Sequence, residues 1–271
     1  MKGKGAGLFA KWIFLISALF VTIFPFYWTF VLATRRTVDA FAGPVFFFKP
    51  SFNSFVTVWH DQNFVRSILM TATVVLMSVL IALVVAVPAA FALTRHRLKS
   101  RTGIFIWLLV AYLLPDYLIA IPLYTIYQSL GLYDSAIGLA IAYQVFMAPL
   151  AMWLLLRFFK DVPPELAEAA YIDGASDWQI LWRVYLPIVM PGIATTAILI
   201  AMAVWNEVTI ALALTTNNPT VSIAVSAYKG YASIKWDQLA AASLFAAIPV
   251  VLFALVAQRF IVRGLTAGIG K

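Results

Sequence analysis

The chain has 271 residues, of which 63% are hydrophobic and only 11% charged, with a formal net charge of +8 and a mean hydropathy of +0.95. Soluble domains run about 45–50% apolar and about 25% charged, so a water-soluble enzyme of this length is excluded and a polytopic membrane protein is implied. The absence of cysteine removes disulfides, Cys-zinc sites and thiol catalysis, and two histidines, His60 and His96, are too few for a histidine metal cluster.

A helix needs about 20 apolar residues to cross the hydrocarbon core, and six stretches qualify in chain order. The first covers residues 12–34. Lys2, Lys4 and Lys11 precede it like the basic start of a signal peptide. The apolar run is longer than the about 7–15 residues of such a peptide, and no small-residue cleavage site comes before Arg35-Arg36. An uncleaved span is expected. Arg35–Arg66 then forms the longest outside loop; its aromatics (Phe46-Phe47-Phe48, Phe52, Phe55, Trp59) suit packing on the membrane face.

The second span covers 67–94. The third apolar stretch, 102–132, is interrupted by Asp116 and broken by Pro115 and Pro122. It reads as a span over 104–120 followed by a short segment with Ser129, Gly131 and Tyr133. The remaining spans cover 135–156, 184–206 and 238–258. No repeat or linker divides the chain, so residues 1–271 read as one transmembrane domain.

Lys and Arg concentrate in cytoplasmic loops. With the N-terminus inside, 13 of the 19 basic residues fall on the cytoplasmic side, including Arg95, Arg97, Lys99, Arg101, Arg157, Lys160, Arg183, Arg259 and Arg263. Both termini are therefore expected in the cytoplasm. The net positive charge is a topology signal and gives no reason to expect nucleic acid.

The most informative segment is the cytoplasmic loop 158–192. Pro163-Pro164 suits the first turn of a helix, Glu165 and Glu168 suit its positive end, and Gly174 suits the position after its C-cap. Ser176 or Asp177 can cap a second helix carrying Trp178, Ile180, Leu181 and Tyr185, and Pro187 and Pro191 mark the entry to the fifth span. A helix–Gly–helix element with small residues and a few acids is suited to docking in a groove of another protein.

Glu168-Ala169-Ala170, Asp173-Gly174-Ala175, Leu186-Pro187 and Pro191-Gly192 resemble the EAA loop of ABC-importer permeases. Ile121-Pro122-Leu123-Tyr124 with Leu130-Gly131-Leu132, Trp205-Asn206-Glu207 and the tail Gly264–Gly268 are similar to the maltose-type carbohydrate subfamily. Arg66-Ser67 departs from the Asn-Ser common in that family at the start of the second span.

The resemblance implies an all-α membrane protein with six transmembrane helices, the type I ABC importer permease fold and a cytoplasmic coupling helix. It implies a bacterial inner-membrane subunit that moves a sugar, sugar alcohol or glycoside from a binding protein to the cytoplasm by alternating access. The implied partners are a second permease, two ATPase subunits, an extracytoplasmic solute-binding protein and membrane lipid. By the same resemblance Glu168 would pair with a basic residue of the ATPase. Gly174 would supply the turn, Ala169, Ala170 and Ala175 would allow close approach, Asp173 belongs to the same motif, and the tail Gly264–Lys271 would reach toward the ATPase dimer.

The chain lacks a phosphate-binding loop: neither Gly3-Lys4 nor Gly270-Lys271 is followed by Ser or Thr. ATP and Mg would thus be bound by the partner ATPase, and no catalytic, metal or cofactor site is expected in this chain. Ionisable groups within a membrane are functional candidates by default. On straight helices Asp116 and Glu207 would lie roughly 18 and 24 Å from the cytoplasmic side of a core about 30 Å thick. Trp205, Tyr117 and Tyr143 could cover a sugar face, and Asn206, Gln144, Asp116 and Glu207 could bond hydroxyls. Alternatively, Asn206 and Glu207 could bond between helices.

Two rival readings exist. One is a proton-coupled secondary transporter using Asp116 or Glu207. The other is a membrane-embedded enzyme, which would need polar groups clustered near one interface. Both leave the 168–192 pattern without a role.

Overall fold

The computed structural model describes residues 3–37, 48–95, 101–230 and 234–267. Within the described residues all regular structure is helical, apart from one isolated bridge between Lys229 and Ile234. Phe46, Phe47, His96, Arg97, Lys99 and residues 268–271 of the tail lie outside the described residues.

Among the described residues, four helices are long and apolar enough to cross a membrane. They lie at Lys11–Ala33 within α1 (Gly3–Ala33), in α3 (Gln62–Arg95), at Asp177–Asn206, and at Trp236–Gln258 within α13 (Trp236–Ala267). Two more candidates are bent pairs. α4 (Arg101–Leu113) and α5 (Asp116–Leu130) meet at 87°, and α6 (Ala136–Ala142) and α7 (Gln144–Lys160) meet at 53°. Six spans result if each bent pair counts as one.

The first bend has a clear cause. Proline pushes the preceding residue out of the helical region, and Pro115 is itself extended (φ −62°, ψ 131°) ahead of α5. Pro122 lies inside α5 without ending it. The helix does not run straight from Ile104 through Asp116, so straight-helix depth arithmetic does not apply to Asp116. The second bend, at Tyr143, has no proline or glycine at the break. Tyr143 stays helical (φ −63°, ψ −18°).

The chain forms two compact units. One comprises Met1–Val65 and Ala224–Ile248. In it, the short helix α2 (Asn53–His60) buries Ser54 and Val58, and Phe64 packs on Tyr228 and Phe245. Phe30, Phe52 and Phe55 form a ring cluster with centroids 6.1–6.5 Å apart. The Tyr228 hydroxyl donates to Asp61 at 2.9 Å. Burial first, and then this hydrogen bond, push the Tyr228 phenol above its ordinary range.

The other unit comprises Arg66–Ile223 and Pro249–Lys271. Here α10 (Leu186–Asn206) packs on α7, α11 (Thr209–Leu214) on α5 and α6, and α4 on α7. Its largest fully buried side chains include Tyr143, Tyr185, Phe159, Leu155, Ile200 and Ile210. Gly192 of α10 sits against the Phe158 ring, where a β-carbon would overlap the ring atoms.

Candidate functional site

Two places in the larger unit collect the singled-out residues. The first is the segment Pro164–Tyr185. α8 (Pro164–Ile172) begins with Pro163 extended before it and Glu165 in its first turn. Its C-terminus is a Schellman motif: the Ala175 amide donates to the Ala170 carbonyl at 3.0 Å and the Gly174 amide to that of Tyr171 at 3.0 Å. Gly174 has φ +79°, and a β-carbon there would meet nothing within 4 Å. Left-handed backbone, not crowding, therefore requires glycine.

Ser176 then caps α9 (Asp177–Ile180) in a capping box. The Gln179 amide donates to Ser176 Oγ at 3.4 Å and the Ser176 amide to Gln179 Oε1 at 2.8 Å. Of the two caps open in the sequence, Ser176 takes the role. Asp177 instead accepts from the Tyr171 hydroxyl, tying α9 back to α8. That bond, ahead of burial, holds the Tyr171 phenol above its ordinary range.

Arg95 at the end of α3 places its guanidinium 5.6 Å from the Tyr171 ring centroid, a cation–π contact. Sequence reasoning missed the Arg95–Tyr171–Asp177 chain, because nothing in the spacing brings Arg95 to this loop. A π-helical turn, Leu181–Tyr185, joins α9 to α10. The Leu186 amide reaches back to Leu181, and Pro187 follows with no amide to donate. Tyr185 anchors the turn between Phe159, stacked at 5.9 Å, and Phe91, edge-on at 5.1 Å.

Glu168, Ala169, Asp173 and Gly174 are exposed and Ala170 and Ala175 half-buried, while Ala167 is fully buried. Leu166, Tyr171, Ile172, Trp178 and Trp182 are also exposed. Small, acidic and apolar side chains are thus exposed along a segment held by two capped helix ends.

The second place lies at the breaks after α6 and α10. Tyr143 is 1% exposed, and its hydroxyl donates to Glu207 Oε2 at 2.6 Å. Glu207 also accepts the Ile210 amide at 2.7 Å and the Ala211 amide at 3.1 Å. One carboxylate therefore ties the start of α11, just past the end of α10, to the Tyr143 side chain at the α6–α7 break. Gln144 donates to the Ala140 carbonyl at 2.7 Å and the Ser78 carbonyl at 3.3 Å. Its Oε1 and the Ser78 hydroxyl are buried without a hydrogen-bond partner.

Trp205 is buried and meets Phe253 edge-on at 6.3 Å. Asn206 is exposed and bonds within its own helix, to the Met202 carbonyl at 2.8 Å. Asp116 is half-buried in the first turn of α5, with Tyr117 71% exposed beside it. The structure thus joins Tyr143 to Glu207 directly. Asp116 and Tyr117 begin α5, the helix that packs on α11.

Asp134 was not singled out in the sequence. It adopts φ 57°, and its carboxylate accepts the amides of Thr216 at 2.9 Å, Asn218 at 3.0 Å and Asn217 at 3.1 Å, plus the Asn217 side chain at 3.1 Å. Burial alone would raise its pKa. The four hydrogen bonds outweigh burial and hold the carboxyl below the usual range. Among the described residues, no group of three His, Cys, Asp or Glu side chains could hold a metal ion.

Residues 78–267 match the family described as binding-protein-dependent transport system inner membrane component. The chain belongs to this family. The probable ABC transporter permease protein y4oR of Sinorhizobium fredii is 35% identical over 92% of this chain and 90% of its own length. The trehalose/maltose transport system permease protein MalG of Thermococcus litoralis is 31% identical over 92% of this chain and 91% of its own. Among solved structures, a chain of a bacterial ABC transporter involved in alginate import aligns with TM-score 0.80 at 22% identity, covering 96% of this chain and 98% of that one. The all-helical architecture is the type I permease fold expected from the motifs. The protein is an inner-membrane transport component, and the reading as a proton-coupled transporter is left without support.

Proposed function

We propose that this chain is the permease subunit of an ATP-driven ABC importer for a sugar, sugar alcohol or glycoside, receiving solute from an extracytoplasmic binding protein. The family match carries this reading. Relatives named as trehalose/maltose and diacetylchitobiose permeases give the carbohydrate class. In the assembled importer the chain pairs with a second permease and two ATPase subunits, which bind ATP and Mg. Both termini face the cytoplasm. Residues 1–271 act as one permease domain, with 158–192 as the coupling loop.

The coupling surface is Glu168, Ala169, Ala170, Asp173, Gly174 and Ala175. Its support is the exposure of Glu168 and Asp173 beside a turn only glycine adopts readily. ATP binding draws the coupling segments of the two permeases together, and the nucleotide-bound state is favoured by its differential affinity. The solute path involves Asp116, Tyr117, Tyr143, Gln144, Trp205, Asn206 and Glu207. Within that set, Asp116, Tyr117 and Asn206 have the exposure needed to touch solute. Tyr143, Trp205 and Glu207 act as the frame around the helix breaks.

The test is uptake by cells carrying the complete transporter, assayed against a panel of labelled mono- and disaccharides, polyols and glycosides. Saturable uptake of one class, lost with Gly174→Asp while the protein remains in the membrane, is the expected outcome. Wild-type uptake by that variant contradicts the coupling assignment.

A further inference from the structure

The smaller unit contains a cavity of about 370 Å³ whose lining includes Arg35, Arg36, Thr37, Asn53, Ser54 and Asp237. The transport reading gives it no role. Its depth in the membrane is fixed twice. Arg35 and Arg36 follow the apolar stretch that ends at Ala33, and Asp237 lies in the first turn of the stretch that begins at Trp236. Both ends of hydrocarbon-length helices sit where headgroups lie.

The charges are arranged as opposed poles. Arg35 is 7% exposed, and its guanidinium lies 4.6 Å from the Phe48 ring centroid. Arg36 is exposed. Asp237 accepts from the Thr37 hydroxyl through one carboxylate oxygen and from Ser54 Oγ, at 2.8 Å, through the other. The carboxylate is therefore held in place while still offering lone pairs to a cation.

The surroundings are apolar on one side. Phe52, Val56 and Trp59 recur at helical spacing along Phe52–His60 and are each more than half exposed. Phe30 and Phe55 continue that surface onto α1. A soluble anion would use the guanidinium pole and make no use of this apolar stripe or of the remaining Asp237 lone pairs.

We propose that this cavity binds the headgroup of a zwitterionic phospholipid, with the phosphate at Arg36 and Arg35, the ammonium at Asp237, and the acyl chains along Phe52, Val56 and Trp59. Arginine recognises phosphate through its planar fork. A primary ammonium can donate three hydrogen bonds to carboxylate, hydroxyl and amide oxygens, so ethanolamine is preferred to choline or glycerol. On the orientation proposed above, the site opens to the outer leaflet.

The complete transporter, reconstituted in nanodiscs of phosphatidylethanolamine and phosphatidylglycerol in equal amounts, tests this when gently extracted and examined by native mass spectrometry. Wild type should retain phosphatidylethanolamine above the bulk ratio. Arg36→Gln, a change at an exposed position that leaves the core untouched, should lower retained lipid by about tenfold, equivalent to about 1.4 kcal/mol. Asp237→Asn should keep phospholipid but lose the ethanolamine preference. Excess soluble glycerophosphoethanolamine should not displace the lipid, because it lacks the chains. Equal retention by wild type and Arg36→Gln, or ready displacement by the soluble headgroup, overturns the assignment; the second result makes this a free-anion site.

Discussion

Tyr143 and Glu207, 64 residues apart, share a 2.6 Å hydrogen bond that links the break between α6 and α7 to the break between α10 and α11. The break after α10 frees backbone amides at the start of α11 within an apolar segment, where unsatisfied groups cost several kcal/mol. The Glu207 carboxylate satisfies two of the freed amides and the Tyr143 hydroxyl together.

Tyr143→Phe should therefore lower stability modestly, by about 0.6–2 kcal/mol, the range for hydrogen bonds between membrane helices. Glu207→Ala should cost more, because two amides lose their acceptor along with the tyrosine. Thermal unfolding of the purified complex in detergent ranks the two. Equal effects would show that the amide bonds contribute nothing.

Gly174→Ala tests the turn between α8 and α9. The site has open space, so the cost comes only from forcing alanine to φ +79°, about 1–2 kcal/mol. ATP hydrolysis should become partly uncoupled from transport while expression stays normal. Restoration of transport by Gly174→Asn, a residue that tolerates left-handed backbone, is the expected companion result.

Gly192→Ala acts by crowding. A methyl group there would overlap the Phe158 ring, so α10 and α7 must separate or the ring must leave its rotamer, at about 1–3 kcal/mol. The double variant Gly192→Ala with Phe158→Ala should recover part of the loss. If the double variant is additive or worse in a thermal-shift assay, the contact does not cause the defect.

Asp134 gives a pH dependence with a definite sign. Its folded pKa is depressed, so its contribution is fully present above the ordinary carboxylate value, about 3.9. The contribution is lost as pH falls through the lower folded value. Asp134→Asn keeps a residue suited to φ 57° but removes the charge. It should be less stable than wild type at neutral pH by about 1–2 kcal/mol, reduced by partial exposure. The gap should narrow under acid. A constant gap would place the effect elsewhere.

The sequence made the long spans legible because uninterrupted apolar runs report exclusion from water over a known length. The loop 158–192 was legible because its signals are local. Pro163-Pro164, Gly174 and Ser176 each act on the next one or two turns, and the caps form there. Bends were less accessible. Pro115 and Pro122 carry the same local warning, yet only Pro115 stands at a break, where the chain turns by 87° into α5. The break at Tyr143 has no local signal. Its partner Glu207 is distant in sequence, as are the partners of Asp134 at 216–218. Hydrophobic periodicity reports which side of a helix faces lipid or protein and carries no information on such pairs.

The central claim is that the exposed surface around Glu168 seats an ATPase carried on another chain. Because this chain has no cysteine, a Glu168→Cys substitution gives it a single thiol for site-directed cross-linking in the assembled transporter. A short heterobifunctional cross-linker, thiol-reactive at one end and photoreactive at the other, should join this chain to the ATPase subunit in high yield, with the yield changing when ATP is bound. A Glu168→Cys chain that inserts and transports normally but never cross-links to an ATPase subunit, with or without nucleotide, would contradict the account.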